Sequence, residues 1–384
     1  MNHEVFAWRS GNRFELLLDG PQFFPRLLAA IAAAEQRVEL ELYLVEDGAC
    51  ATELAAALTA AARRGVRVRC LFDGFGSLAF GETSRQLLAG AGVELRLYNP
   101  LSWRRGLLNL YRDHRKLLLL DDHLGFVGGT GATDDFWTPG SDACWHELMV
   151  QMQGPLLQDW RQLFERQWQA SEGRRAWRPS LPLRRPSLPA IPPLGPGLGR
   201  VAYADAEQHR DILQSLVRNL LRARRTIWLA TPYFLPTWRV RRALRRAARR
   251  GVDVRLLLTG HNTDHAPVRY AGQRYYPRLL KAGVRIFEYQ PRFLHLKMVL
   301  VDDWVSLGSC NFDHWNLRWN LDANLEAFDP QLAAEAASSF MADFAQAEEV
   351  TLAGWRAMPL GERIRTRLWG WLDRLVINLF DQRR

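Results

Sequence analysis

Apolar residues recur along this chain in two rhythms. In PQFFPRLLAAIAAAEQ (21–36) they return every three or four positions, and in RVELELYLV (37–45) they alternate over a short run. The first rhythm predicts an amphipathic helix and the second a strand. HRDILQSLVRNLLRARR (209–225) followed by TIWLATPYF (226–234) gives the same pair again. AARRGVRVRCLFDG (61–74) is answered by AARRGVDVRLLLTG (247–260), and LLAGAGVELRLYNP (87–100) by RLLKAGVRIFEYQP (278–291). Each reads as a helix end, a glycine at its C-terminus and an apolar strand. The chain therefore holds an internal repeat. Its alternation of strand and helix predicts an α/β fold with a mixed or largely parallel sheet.

Between the copies, RRAWRPSLPLRRPSLPAIPPLGPGLG (174–199) carries seven prolines. Proline removes a backbone donor and fixes φ, so this stretch reads as a linker or surface loop. The predicted organisation is an N-terminal half (1–173), the linker (174–199), a C-terminal half (200–350) and a basic amphipathic C-terminal helix (351–384).

Composition narrows the class. At 48% hydrophobic and 24% charged residues the chain reads as globular, and 384 residues can bury a sizeable core. A net charge of +10 implies polyanionic partners, nucleic acid or anionic lipid, without choosing between them. Fifteen tryptophans fit either a core or a membrane interface. Cys50, Cys70, Cys144 and Cys310 stand far apart with no C-x-x-C, which argues against a zinc ribbon or redox dithiol and fits a reducing compartment. MNHEVFAWRSGNRFELLLDG lacks the apolar core of a signal peptide, and no apolar run reaches the length of a spanning helix. No nucleotide-binding P-loop and no metal-ligand cluster is seen, so no cofactor and no metal are expected.

The chemistry sits in YRDHRKLLLLDD (111–122) and FLHLKMVLVDD (293–303). Both carry H-x-K-x4-D: His114, Lys116 and Asp121, then His295, Lys297 and Asp302. On a strand, residues two apart share a face, so each histidine points the same way as its lysine. A lysine offers fixed positive charge to phosphate oxygens, and a neutral imidazole can attack phosphorus or move a proton. Two histidines complete a cycle: one becomes a phosphohistidine, while the other protonates the leaving alcohol and deprotonates the acceptor. Gly129 and Thr130 follow the first motif, Ser309 and Asn311 the second; these are candidate phosphate contacts through close backbone approach or polar donors. Asp121 and Asp302 fall near a strand end and fit either a chemical role or a turn-pinning one.

These segments resemble the paired HKD motifs of the phospholipase D superfamily. Over roughly residues 11–345, stretches such as WHELMVQMQGP, TPYFLP and GSCNFDHWNLRWNLDANLEAFD make the chain similar to short bacterial cardiolipin synthases without N-terminal transmembrane helices. The resemblance implies a duplicated α/β/α sandwich whose two halves share one active site. It implies His114 as nucleophile, His295 as general acid/base, and Lys116 and Lys297 gripping the phosphate. It also implies a carboxylate downstream of each motif to orient each histidine: Glu147 after the first and Asp322 after the second. The chain departs from the pattern at Gly131, where the family usually has Asn, and at Asp322, where related synthases often have Glu. Thr130, Thr133 or water would then supply the missing donor.

The implied reaction joins two phosphatidylglycerol molecules into cardiolipin and glycerol, by a peripheral enzyme on the cytoplasmic side of a bacterial inner membrane. A hydrolytic phospholipase D or another phosphatidyltransferase differs only in the acceptor or donor. A nuclease of the superfamily is the rival in another class. The flanking sequence disfavours nucleic acid, and the oligomeric state stays open. Two stretches suit contact with anionic lipid: NPLSWRRGLLNLYRD, with Trp103, Arg104 and Arg105, and ERIRTRLWGWLDRLVINLF, with Trp369 and Trp371. On a helix the second stretch sets Ile364, Leu368, Trp371, Leu372, Leu375 and Leu379 on one face, which fits a membrane or packing on the domain. TWRVRRALRRAARRGVDVR (237–255) reads as a basic helix facing lipid, nucleic acid or solvent.

Overall fold

A computed structural model describes residues 5–172, 191–206, 210–314 and 316–381, apart from the side chains of 374 and 376–381. The first half begins with β1 (Arg9–Leu18), α1 (Gly20–Ala33), β2 (Arg37–Leu42), α2 (Ala49–Arg63), β3 (Arg67–Asp73), α3 (Glu82–Gly90) and β4 (Glu94–Tyr98). After a 3-10 segment (Trp103–Leu110) come β5 (Arg112–Asp113), β6 (Leu117–Leu120), β7 (Leu124–Gly128), β8 (Leu148–Gln153) and α4 (Leu157–Ala170). The second half opens with β9 (Gly197–Asp205), α5 (Asp211–Arg222), β10 (Thr226–Thr231), α6 (Trp238–Arg249), β11 (Asp253–Thr259), α7 (Ala266–Gln273), α8 (Tyr276–Leu280) and β12 (Arg285–Tyr289). It continues with β13 (Met298–Val301), β14 (Trp304–Gly308), α9 (Asn316–Trp319), β15 (Asn320–Phe328), α10 (Pro330–Gln346), β16 (Ala347–Val350), α11 (Leu352–Ala357) and α12 (Leu360–Asp381).

The repeat is visible in the sheet order. One half runs β1-β8-β7-β6-β2-β3-β4 and the other β9-β15-β14-β13-β10-β11-β12-β16, joined where β1 pairs with β9. In each half the three strands alternating with helices are parallel and the other strands on this path antiparallel, while β5 pairs in parallel with β15. Gly65 and Gly251, the helix-ending glycines of the two repeats, both take a left-handed φ, near +90°, which turns the chain from α2 into β3 and from α6 into β11. Gly251 also ends the basic helix expected over 237–255 after Arg249, so its last residues belong to β11.

Alternation along the strands builds three layers. Leu117 and Leu119 of β6 face a central core with Met298 and Leu300 of β13, while Leu118 and Leu120 face α1 and α2, and Val299 and Val301 face α5 and α6. The central core spans both halves, packing Trp160 and Phe164 of α4 and Phe340 and Phe344 of α10 on one continuous sheet. Tryptophan divides between roles: Trp160 and Trp304 are fully buried, whereas Trp103, Trp238 and Trp371 are exposed.

Two boundaries differ from the sequence reading. Residues 174–190 of the expected linker lie outside the described residues, and β9 already begins at Gly197. The expected C-terminal helix is two helices, broken at Pro359, which opens the second one without a backbone N–H. Residues 382–384 lie outside the described residues.

Candidate active site

Each motif enters an antiparallel hairpin. His114 and Lys116 lead into β6, which pairs Leu117 with Val127 of β7; His295 and Lys297 lead into β13, which pairs Met298 with Leu307 of β14. The first hairpin has one more residue in its turn than the second. Registration from the strands makes Gly129 the counterpart of Ser309, Gly131 of Asn311 and Glu147 of Asp322.

The halves exchange partners at this point. The His114 segment crosses to the other half: β5 pairs with β15, and the His114 N–H donates to the Leu321 carbonyl at 2.9 Å. Reciprocally, the His295 and Leu296 N–H groups donate to the His146 carbonyl at 2.8 and 3.0 Å. This backbone swap carries the side chains with it. His114 Nδ1 lies 3.0 Å from Asp322 Oδ1, and His295 Nδ1 lies 2.5 Å from Glu147 Oε2. The carboxylate downstream of each motif therefore lies against the histidine of the other half, a pairing that the sequence did not specify. The backbone contacts explain it: Glu147 follows His146 and Asp322 follows Leu321, the two residues whose carbonyls accept from the histidine segments of the opposite half.

Space around the carboxylates differs. A Cβ at Gly129 would sit 2.2 Å from Glu147 Oε2, so no side chain fits beside the longer acid. Opposite the shorter Asp322, the counterpart Ser309 fills the gap and donates from Oγ to Asp322 Oδ1 at 2.7 Å. Gly129 and Ser309 thus stand beside the orienting carboxylates, and the Ser309 hydroxyl expected to meet phosphate is engaged by Asp322. Thr130 is likewise turned away, donating to the Gly131 carbonyl at 3.0 Å. Gly131 has no room for the asparagine common in the family, because a Cβ there would lie 2.7 Å from the Leu44 carbonyl. Thr133 Oγ1 and Asn311 Oδ1 are buried with no protein hydrogen bond.

Burial and the neighbouring Lys116 ammonium push the His114 imidazole down to about 4, against the pull of Asp322. His295 is also pushed down, by burial and then by Lys297 and Lys116. Both rings are therefore neutral near pH 7. With its Nδ1–H held by Asp322, His114 keeps its Nε2 lone pair for chemistry. Burial and repulsion from Lys297 push Lys116 down to about 7; burial pushes Lys297 down to about 8, with Glu147 opposing. Two buried lysines repelling one another form a pocket that an anion would stabilise. Lys116 donates to the His114 carbonyl at 2.6 Å, while Lys297 Nζ lies 2.8 and 3.0 Å from the two ring nitrogens of His295. Aromatic rings wall the centre, Tyr43 against His114 and Phe136, Trp145 and Phe293 around His295.

Asp121 and Asp302 do not join this cluster; of the two roles the sequence left open to them, the geometry fits turn-pinning and not chemistry. Each sits past the far end of its strand and accepts three backbone N–H bonds, from Glu35, Gln36 and Arg37 and from Arg224, Arg225 and Thr226. Their spacing from lysine spans a whole strand, which carries them away from the site. They pin the entry to β2 and β10, the strands that flank the hairpins.

Three supports were not singled out in the sequence. Asp73 accepts from the N–H groups of Phe75, Gly76 and Asp113, fixing the residue before His114, and burial raises its carboxyl to about 6. Arg115, on the opposite strand face from His114, is buried among Glu41, Asp113 and Asp205. His146 bridges Asp19 of one half and Asp343 of the other at 2.8 and 3.1 Å, and stacks on Tyr289. The charged D-H-R run and the H-E pair were the available signals for the last two.

The expected lipid-contact residues divide. Trp103 is 86% exposed with Arg104 stacked on it, but Arg105 is tied to Asn99 and the Pro100 carbonyl. Trp371 is exposed and Trp369 half-buried. Among the described residues no helix is long and apolar enough to cross a membrane, and no side-chain cluster could hold a metal ion.

A duplicated sheet with two histidine–lysine pairs brought together at the seam defines a phospholipase D-like protein. A family model described as "Cardiolipin synthase, PLD-like domain" matches residues 27–168 and 216–344, and the chain belongs to that family. It is 35% identical over 328 residues to cardiolipin synthase B of Escherichia coli K12, covering 84% of this chain and 78% of that one. It is 33% identical over 348 residues to cardiolipin synthase A of Pseudomonas entomophila, covering 89% and 70%. Among solved structures, the phosphatidylserine synthase of Haemophilus influenzae superposes with a TM-score of 0.76 at 13% identity, covering 98% of this chain and 96% of that one. That last likeness concerns the fold.

Proposed function

We propose that this protein is a cardiolipin synthase that transfers a phosphatidyl group between two phosphatidylglycerol molecules at a membrane surface. The observation that carries the proposal is the crossed pair of neutral, carboxylate-oriented histidines flanked by two buried lysines, in a member of the cardiolipin synthase family. Lys116 and Lys297 bind the phosphodiester, whose negative charge relieves their repulsion and lets His295 hold a proton. His114 Nε2 attacks phosphorus and the P–O bond to glycerol breaks. His295 gives its proton to the departing oxygen. The glycerol hydroxyl of the second lipid then returns a proton to His295, attacks the phosphohistidine and frees His114. No nucleotide is consumed, because one phosphodiester replaces another. The aromatic walls around His295 support an acceptor pocket that favours a lipid alcohol over water. We place the protein peripherally on the cytoplasmic side of a bacterial inner membrane, with Trp103, Arg104 and Trp371 toward lipid.

The test is product analysis by mass spectrometry after incubation with phosphatidylglycerol vesicles, beside His114→Ala and His295→Ala. Cardiolipin and glycerol from the wild type alone is the expected result. Phosphatidic acid alone would make water the acceptor. Cleavage of DNA or RNA without lipid turnover would move the activity to the nuclease branch.

A further inference from the structure

Helix α12 is mounted with its polar side inward. Thr366 meets Gln273 at 3.4 Å, Gly370 gives its carbonyl to Arg274, and Asp373 pairs with Arg274 at 2.5 Å and His314 at 3.4 Å. The apolar face points away from the protein: Leu360, Ile364, Leu368, Trp371 and Leu375 are all exposed, Leu360 by 71%. A solvated helix has the opposite orientation. At the foot of this ridge, between α11, α12 and the α7–α8 turn, lies a cavity of about 510 Å³ lined by Arg274, Arg356, Arg363, Arg367, Trp355 and Trp371. Asp373 answers the charge of Arg274, but among the described residues no carboxylate pairs with Arg356, Arg363 or Arg367. Burial together with repulsion from Arg274, Arg245 and Arg278 pushes the nearby Arg241 down, although Tyr275 opposes it, so the surrounding field is positive.

We propose that this cavity is a second, non-catalytic site for the phosphate of an anionic phospholipid whose acyl chains lie along the exposed face of α12. The arginines match a phosphate. The Trp and Leu ridge beside them matches the glycerol and acyl boundary of a bilayer, where tryptophan is favoured. Free phosphate or nucleic acid would satisfy the arginines and leave the ridge in water; a lipid satisfies both. The site deepens the membrane-surface reading above and needs no turnover. Asp373 also ties α12 to His314, three residues beyond Asn311, so the seat on the bilayer is fastened to the active-site loop.

The test is vesicle sedimentation of the full chain carrying His114→Ala, so that lipid is not consumed, against phosphatidylcholine vesicles with and without phosphatidylglycerol. Arg356→Ser/Arg367→Ser is expected to weaken binding to the anionic vesicles about tenfold or more and to leave binding to neutral vesicles unchanged. Leu368→Ser/Trp371→Ser is expected to weaken binding to both. Melting curves matching the parent show that the variants are folded. Arg246→Ser/Arg249→Ser, on the exposed face of α6, removes the same charge elsewhere. An equal loss in that control would assign the effect to net charge and overturn the site, as would undiminished anionic binding by the cavity variant. Loss of binding to DNA but not to vesicles would also overturn it. Failure of cardiolipin formation in the product analysis would leave this result standing.

Discussion

The two hairpins that carry the histidines solve one problem in two ways. In the first half a long carboxylate, Glu147, reaches across the seam and a glycine, Gly129, clears its path. In the second a shorter carboxylate, Asp322, makes the same crossing and a serine, Ser309, fills the remaining space and donates a hydrogen bond. Asymmetry extends to the lysines. Lys297 packs against the ring of its own histidine, whereas Lys116 bonds only the backbone of His114. A duplicated domain therefore offers a near-symmetric pair of histidines in unequal settings, which is what a reaction needing a nucleophile and a proton carrier requires.

The strongest test of that inequality removes each histidine. His114→Ala and His295→Ala should each cost at least about a thousandfold in turnover. Acid quenching with substrate labelled at phosphorus should trap a covalent adduct in His295→Ala and none in His114→Ala. The reverse pattern would exchange the two roles.

Next in size is the crossing. Asp322→Asn should lower turnover about a hundredfold or more and move the ring nitrogen resonances of His114, leaving those of His295 in place. Movement of His295 instead would break the crossed assignment.

The space argument predicts that Gly129→Ser costs about a hundredfold, and that adding Glu147→Asp recovers most of it by giving the first half the second half's arrangement. Absence of rescue would show that Gly129 does more than clear room. Ser309→Gly, which deletes one bond to a carboxylate, should cost only about tenfold.

A smaller effect concerns the seam itself. Two carboxylates raise the His146 imidazole to about 9 despite its burial. Its protonated form is therefore favoured by folding: the stabilisation is fully present below the ordinary histidine value and is lost as pH rises through about 9. Thermal melting should show stability falling over that window by up to roughly 3 kcal/mol, and His146→Asn should flatten the slope.

The smallest effect on turnover belongs to the outer aspartates. Asp121→Ala or Asp302→Ala should remove about 1–3 kcal/mol of stability, measured by denaturant unfolding, and change the catalytic rate little.

Much of this was legible in the chain. The doubled H-x-K spacing named both histidines and both lysines, because a period of two fixes which side chains share a strand face. Helix, glycine and strand repeated in order, and Gly65 and Gly251 turn the chain where that pattern says. Pro359 is the sequence signal for the break in the C-terminal helix, masked by the amphipathic rhythm that follows it.

Local rules could not decide which carboxylate serves which histidine. Glu147 and Asp322 follow their own motifs in sequence, yet each reaches the opposite ring, since pairing of β5 with β15 and of His146 with Leu294 is set by how the two halves dock. Likewise Asp121 and Asp302 look catalytic by proximity along the chain, but a strand's rise carries them to the far end of the sheet, where three backbone donors claim each one. The sequence by itself determined the repeat, the strand faces and the two histidine–lysine pairs, all of which follow from short-range geometry. Only the tertiary structure decided the exchange across the seam, the room beside each carboxylate and the outward-facing apolar side of α12, because those depend on surfaces contributed by distant parts of the chain.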